Sequence, residues 1–190
     1  KKELKKKFKN KQIYQLDPPV RLNEDKIDRM AHIVALAGAE QIQNAIKTDA
    51  DIILAGRTTD TAIISALPLM KGANLGSSWH GAKVAECGAL CSTDPTSGVV
   101  MIEFDKNGFI VFPTSKNAKC TPYTVSAHML YENSDPFKLY EPGGYMDVSE
   151  ATYKALDYKK VIVTGAKWFK DKNYFVKLEG AQISGYQTSS

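Results

Sequence analysis

Apolar positions in the first half of this chain recur mainly at helical spacing. After Pro95 they alternate or run in strand-length blocks. The stretch 50–66 stands between the best-defined helical patterns. An apolar run, Ile52 to Ala55, stops at Gly56, polar and charged residues follow, and Thr61 onward reads as a helix. That order predicts a buried parallel strand, a tight turn and a helix start. Upstream, residues 1–9 suit the tail of a helix and 13–16 a short strand, ended by Asp17-Pro18-Pro19. Asn23 is placed to cap a helix with Glu24 and Asp25 in its first turn. Ile27, Met30, Ala31, Val34 and Ala35 extend that helix, Gly38 breaks or bends it, and Ala39, Ile42 and Ile46 carry a second stripe. A helix over 60–71 presents Ile63, Ile64, Leu67 and Met70, with a kink or early end expected near Leu67 because Pro68 lacks an N–H.

The second half is punctuated differently. Residues 99–104 and 108–112 flank Asp105-Lys106-Asn107-Gly108, the pattern of a β-hairpin with Asn-Gly in its turn. Thr121-Pro122 opens a helix with proline at its first position, and Asn133-Ser134-Asp135-Pro136 stops it. The remainder reads as strands at 145–149, 152–156, 160–164 and 174–178, with 180–190 partly extended. The fold class expected is α/β: a parallel-sheet Rossmann-like part followed by an α+β part rich in antiparallel strands. Residues 1–95 would form the α/β part of a larger domain whose N-terminal portion is missing, since residue 1 is lysine and the chain opens mid-element. Residues 96–190 would form the α+β part.

Composition changes this picture little. Hydrophobic residues are 43% and charged residues 24% of 190, as in globular chains. The net charge of +4 comes from one end: residues 1–11 hold seven lysines and one glutamate, so the rest is net negative. A basic tail of that kind is a solvated charge run, and no nucleic-acid partner is expected. There is no apolar stretch of membrane-spanning length and no signal-peptide pattern, so no membrane partner is expected. Three cysteines are too few for a disulfide framework, which makes a reducing, cytoplasmic setting the default.

Candidate chemistry gathers at two places. Ligands of open α/β sheets sit beyond the carboxyl ends of strands, and Gly56, Arg57, Thr58, Thr59 and Asp60 fall at such an end. Gly56 permits close backbone approach, and the Arg57 fork suits a carboxylate or phosphate. Thr58, Thr59 and Asp60 are each able to cap the following helix, whose amides also favour an anion. The plainer alternative is that Asp60 only caps and Arg57 only pairs with it. Neither nucleotide phosphate-loop nor dinucleotide glycine spacing is present. The second place is 79–94. A continuous helix there would put His80, Cys87 and Cys91 within roughly 20° of one direction. A Cys–His nucleophile is opposed by about 10 Å of helical rise between His80 and Cys87. Zinc would need a further ligand, so buried cysteines acting as small apolar groups is the plain reading and no metal centre is indicated. Glu86, some 100° from Cys87, is the better acid/base candidate. His128 and Glu132 lie one turn apart, as a proton-sharing or metal pair or simply a surface pair. A lone His32 reads as filler.

Several segments, in order, carry a resemblance. Ala50-Asp51-Ile52-Ile53-Leu54-Ala55-Gly56-Arg57-Thr58-Thr59-Asp60-Thr61-Ala62 resembles the ADIVITGR-x-x-D-x-A signature of the acyclic terpene utilisation AtuA family. Glu86-Cys87-Gly88-Ala89 is similar to its GH-x-x-ECGA segment. Leu130-Tyr131-Glu132, Asp135-Pro136, Tyr140, Pro142 and Asp147 resemble its LLYE-x-x-DP…Y-x-x-P…D pattern. The family's Gly-His falls here on Ala82-Lys83, and the Gly-Gly after ECGA on Ser92-Thr93-Asp94. The resemblance implies a catabolic enzyme acting on a small branched acid or an acyl-CoA thioester, as in acyclic terpenoid degradation. In that reading Arg57, with Gly56, Thr58 and Thr59, would hold the anionic group of a small-molecule substrate. Asp60 would orient it or act as base, and Glu86 would act as acid or base beside Cys87. An oligomer or a partner domain is expected. The competing reading, favoured by the replaced histidine, is a non-catalytic subunit or ligand-binding module. A third is a metal protein using His128, Glu132 or the cysteine face.

Overall fold

In the computed structural model, which describes residues 1–14, 21–96 and 98–185, the chain divides into two compact units, 1–35 with 178–190, and 36–177. The short strand expected at 13–16, its Asp17-Pro18-Pro19 stop, and the last residues of the extended 180–190 tail fall on or run into positions outside those described.

The smaller unit holds α1 (Lys2–Lys9), α2 (Glu24–Arg29), β1 (His32–Ala35) and, from the far end of the chain, β9 (Leu178–Ala181). The lysine-rich α1 buries no residue and is tied by charge: Lys5 Nζ lies 2.8 Å from Asp28 and Lys9 Nζ 3.1 Å from Glu24. Asn23 caps α2 as its side chain predicts, accepting from Lys26 N–H at 2.8 Å. The helix then ends at Arg29. Val34 and Ala35, read above as part of a helical stripe, sit with Ile33 in β1, which pairs antiparallel with β9 from His32↔Ala181 to Ala35↔Leu178. β-branched side chains favour the pleated surface once a partner strand exists, and that partner is about 145 residues away in sequence, beyond the reach of local patterning.

The larger unit contains α3 (Ala39–Ile46), α4 (Asp60–Met70), α5 (Leu75–Ala85), a 3₁₀ turn (Gly88–Cys91), β2 (Val100–Phe104), β3 (Gly108–Pro113), α6 (Pro122–His128), β4 (Lys138–Glu141), β5 (Gly144–Asp147), β6 (Thr152–Ala155), β7 (Val161–Thr164) and β8 (Lys167–Lys170). Two antiparallel sheets form, of order β2-β3-β7-β6 and β4-β5-β8. α3 lies on α4, α4 on α5, and α5 lies against strands of both sheets. Residues Gly76 to Val84 of α5 are therefore all buried. Small residues make this approach feasible. A Cβ on Gly76 would collide with the Ala166 carbonyl, and one on Gly81 would sit 2.6 Å from the Phe104 ring. On the same helix Trp79 stacks on Trp168 of β8, ring centroids 4.9 Å apart and 12° from parallel. Phe109, Val111, Val125, Met146, Val161 and Val163 complete the core.

The hairpin forms where the pattern places it, in register Phe104↔Phe109. Asp105 holds the turn by accepting from the amides of Asn107 and Gly108, both at 2.7 Å. α6 opens with Pro122 and a reciprocal Thr121–Thr124 capping box. α4 runs on through Pro68 to Met70 instead of stopping at Leu67. Residues 174–177, expected in a strand, are irregular, β4 and β8 were not expected, and β9 spans the end of that expected strand and the start of the extended tail.

Among the described residues there is no parallel Rossmann-like part. Every sheet among the described residues is antiparallel, and the single parallel contact is the isolated bridge Ala37↔Thr58. Residues 52–55 form no strand, and Ile52 and Leu54 are 86% and 98% exposed. An apolar run reports burial only if neighbours cover both faces. Here no strand pairs with it, so composition alone misled. No helix among the described residues is long and apolar enough to cross a membrane.

Candidate functional site

The start of α4 is pinned by two backbone bonds across the isolated bridge, Ala37 N–H to Arg57 O and Thr59 N–H to Ala37 O, both 3.1 Å. This fixes Thr58, Thr59 and Thr61 in buried positions. Thr59 is the N-cap residue, yet its hydroxyl does not cap. Instead the Thr61 hydroxyl donates to Glu141 Oε1 at 2.7 Å, with Thr59 also bonded to that carboxyl. Glu141 ends β4, and its other oxygen, Oε2, is buried without a hydrogen-bond partner among the described residues. Burial pushes its carboxyl above the usual carboxylate range, against the opposing charge of Lys177 and the threonine bonds. Sequence reading missed Glu141. Nothing in Tyr140-Glu141-Pro142-Gly143 marks it, because its neighbours arrive from 80 residues upstream.

Arg57 and Asp60 face outward. Arg57 Nη1 lies 3.3 Å from Asp60 Oδ1, and the two side chains are 47% and 60% exposed. An ion pair so screened is worth under about 1 kcal/mol. A Cβ added at Gly56 meets open space within 4 Å, so nothing around that residue demands glycine.

The last turn of α5 supplies the other half. Lys83 Nζ pairs with Glu86 Oε1, and both side chains are less than 10% exposed. The i,i+3 spacing on a helix was a readable signal for this pair. Burial pushes Glu86 upward, the Lys83 hydrogen bond and charge pull it back, and the charges of Asp60 and Glu141 push it further. Those mutual influences place Asp60, Glu86 and Glu141 in one electrostatic neighbourhood with Lys83. The adjacent Cys87 thiol is raised by its own desolvation and by the Glu86 charge, so it stays protonated near neutrality. Behind it, His128 Nε2 lies 3.2 Å from the Lys83 carbonyl, and burial lowers its basicity. α6 ends at His128, and Glu132 adopts the left-handed backbone at φ 58°, paired with Tyr131. His128 and Glu132 therefore turn to different partners.

His80, Cys87 and Cys91 do not share a helix face, because α5 ends at Ala85 and the chain reverses through Gly88 at φ 58°. His80 is wholly buried, with Nε2 3.1 Å from the Tyr153 hydroxyl. Among the described residues no group of three His, Cys, Asp or Glu could hold a metal ion.

A groove of about 790 Å³ runs between α4 and β2. Ile64, Leu67 and Pro68 form one wall, Val100 and Ile102 the other, and Lys71 lies on its edge. Ile64 is one turn from Asp60, and Ala85 and Gly88, which bracket Glu86-Cys87, also line it. An apolar trough thus approaches the polar cluster at the start of α4. No curated protein and no solved structure matches the chain. A family model does, over residues 2–190: acyclic terpene utilisation family protein AtuA.

Proposed function

This chain belongs to the acyclic terpene utilisation family, and from that premise we propose that it is a catabolic enzyme acting on a small branched acid or its CoA thioester. The observation that carries the reading is the apolar groove whose lining reaches Ile64, one turn from Asp60, and Ala85 and Gly88, on either side of Glu86-Cys87. The branched chain lies along Ile64, Leu67 and Ile102. The carboxylate, or a phosphate of the thioester, meets the Arg57 fork and the uncapped first turn of α4. Glu86, raised by burial and steadied by Lys83, serves as the acid or base beside the reacting group. Cys87 packs beside it as a neutral thiol. The setting proposed is cytoplasmic.

The test is thermal shift with branched acids, their CoA thioesters and free CoA. At a hundredfold excess over Kd, a bound ligand raises Tm by roughly 5–10 °C for a chain of this size. Arg57→Ala abolishes the shift for every anionic ligand. Leu67→Glu abolishes it for branched chains and spares free CoA. An undiminished shift in Arg57→Ala removes Arg57 from the site.

A second reading is a binding subunit without turnover. It is favoured by one observation: Lys83 stands where the family resemblance has histidine and occupies Glu86 in an ion pair. Stabilisation by a thioester with no product by mass spectrometry decides for it.

A further inference from the structure

Cys91 and Cys120 are both buried, and neither has a role in the groove or in the polar cluster. Cys91 closes the 3₁₀ turn and Cys120 precedes the N-cap of α6. Both sit in one buried apolar cluster, and the 3₁₀ turn packs against α6. The backbones are laced together beside them: Thr93 N–H donates to Lys119 O at 2.9 Å, and Lys119 N–H donates to Thr93 Oγ1 at 3.1 Å. Segments tied this closely set the two cysteines near enough for each to shift the other's acidity, and for a disulfide to close between them.

We propose that Cys91 and Cys120 form an oxidative modification site, a buried dithiol that a hydroperoxide converts to an intramolecular disulfide joining the 3₁₀ turn to α6. The two sulfurs have different parts. Cys120 is held below the usual thiol range by the neighbouring Cys91 thiol and the Lys159 charge, outweighing burial, so it is the first nucleophile. Cys91 is held well above it, chiefly by the neighbouring Cys120 and by burial. The Cys120 thiolate attacks one peroxide oxygen, the O–O bond breaks, and the departing alkoxide or hydroxide takes up a proton. Cys120 is then a sulfenic acid. The Cys91 sulfur attacks it, the S–O bond breaks, and water leaves with the Cys91 proton. Two thiols lose two electrons, and the peroxide is reduced to an alcohol, or to water, with one further water. A dithiol reductant reverses the reaction. Both sulfurs are out of solvent, so a small oxidant enters through local opening of the short turn, and the reaction is slower than at a surface thiol. Cys87, one turn away and partly exposed, is the competitor.

The experiment treats the full chain with hydrogen peroxide, unfolds it in iodoacetamide and maps peptides. The expected result is a Cys91–Cys120 cross-link, with Cys87 the only thiol alkylated and the link lost on dithiothreitol treatment. The cross-link raises Tm by roughly 5–15 °C. The Cys87→Ser variant retains it. Three alkylated thiols, a link through Cys87, or sulfinic acid at either buried cysteine without a link overturns the proposal. Cys120→Ala removes all protection of Cys91. Should that variant fail to fold, the wild-type map decides alone.

Discussion

His80 has its basicity pushed down to about 3 by burial, from an ordinary 6.5. It is neutral in the folded chain and charges when the chain unfolds in mild acid. Between about pH 6.5 and 3 the unfolded state binds the extra proton, so stability falls as pH falls through that window. The slope from one such group reaches at most about 1.4 kcal/mol per pH unit. His80→Phe should flatten urea-derived stability against pH in that range, while leaving Tyr153 without its partner at a cost of about 1–2 kcal/mol at pH 7. Glu141 has the opposite sign. Its folded-state value is raised above 4.5, so the folded state holds the proton longer, and stability declines as pH rises past that point. Glu141→Gln removes the charge that burial penalises. Its Tm should meet or exceed wild type at pH 8, with the gap closing toward pH 4.5. A Tm well below wild type at pH 8 would show that ionised Glu141 is a stabilising anion held by the threonines and Lys177.

At the scale of elements, α5 bears the greatest packing demand. Gly76→Ala forces a methyl into the Ala166 backbone carbonyl, which has no rotamer by which to yield. A loss of roughly 2–4 kcal/mol by urea denaturation is expected, against a gain of up to about 1 kcal/mol for the same change at an open helix position. Asp105→Ala, at the hairpin, removes a carboxylate that satisfies two amides and should cost about 1 kcal/mol. What could be read in advance follows the range of the forces. The Asn23 cap, the hairpin at 105–108 and Pro122 opening α6 are settled by neighbours within four residues, and all were legible. β1 with β9, and β4 and β8 beside β5, are settled by partners far along the chain. Local pattern then gave helix for 30–35 and gave no strand at 138–141 or 167–170. The candidate site divides in the same way. Arg57 and Asp60 are local, and Glu86 was singled out, but its pairing with Lys83 was missed although the i,i+3 spacing carries it. Glu141 is visible only once β4 brings it to Thr61.

For the whole molecule, the absence of a parallel sheet changes what substitutions at 52–54 should do. In a buried strand, Ile52→Lys with Leu54→Lys would cost several kcal/mol. With both side chains open to solvent the double variant should unfold within about 1 kcal/mol of wild type, and solubility should rise. A collapse in Tm would mean that these residues are covered by a second chain or further domain in solution. The chain's two indoles are the stacked pair Trp79 and Trp168, both within residues 36–177. Emission from the pair, and the coupled near-ultraviolet circular dichroism of two parallel rings, therefore follow melting of that unit alone. Residues 1–35 and 178–185 contain no tryptophan and are silent in such a measurement. A single-wavelength unfolding curve would look two-state even if the lysine-rich segment had already let go, so amide exchange is needed to see it.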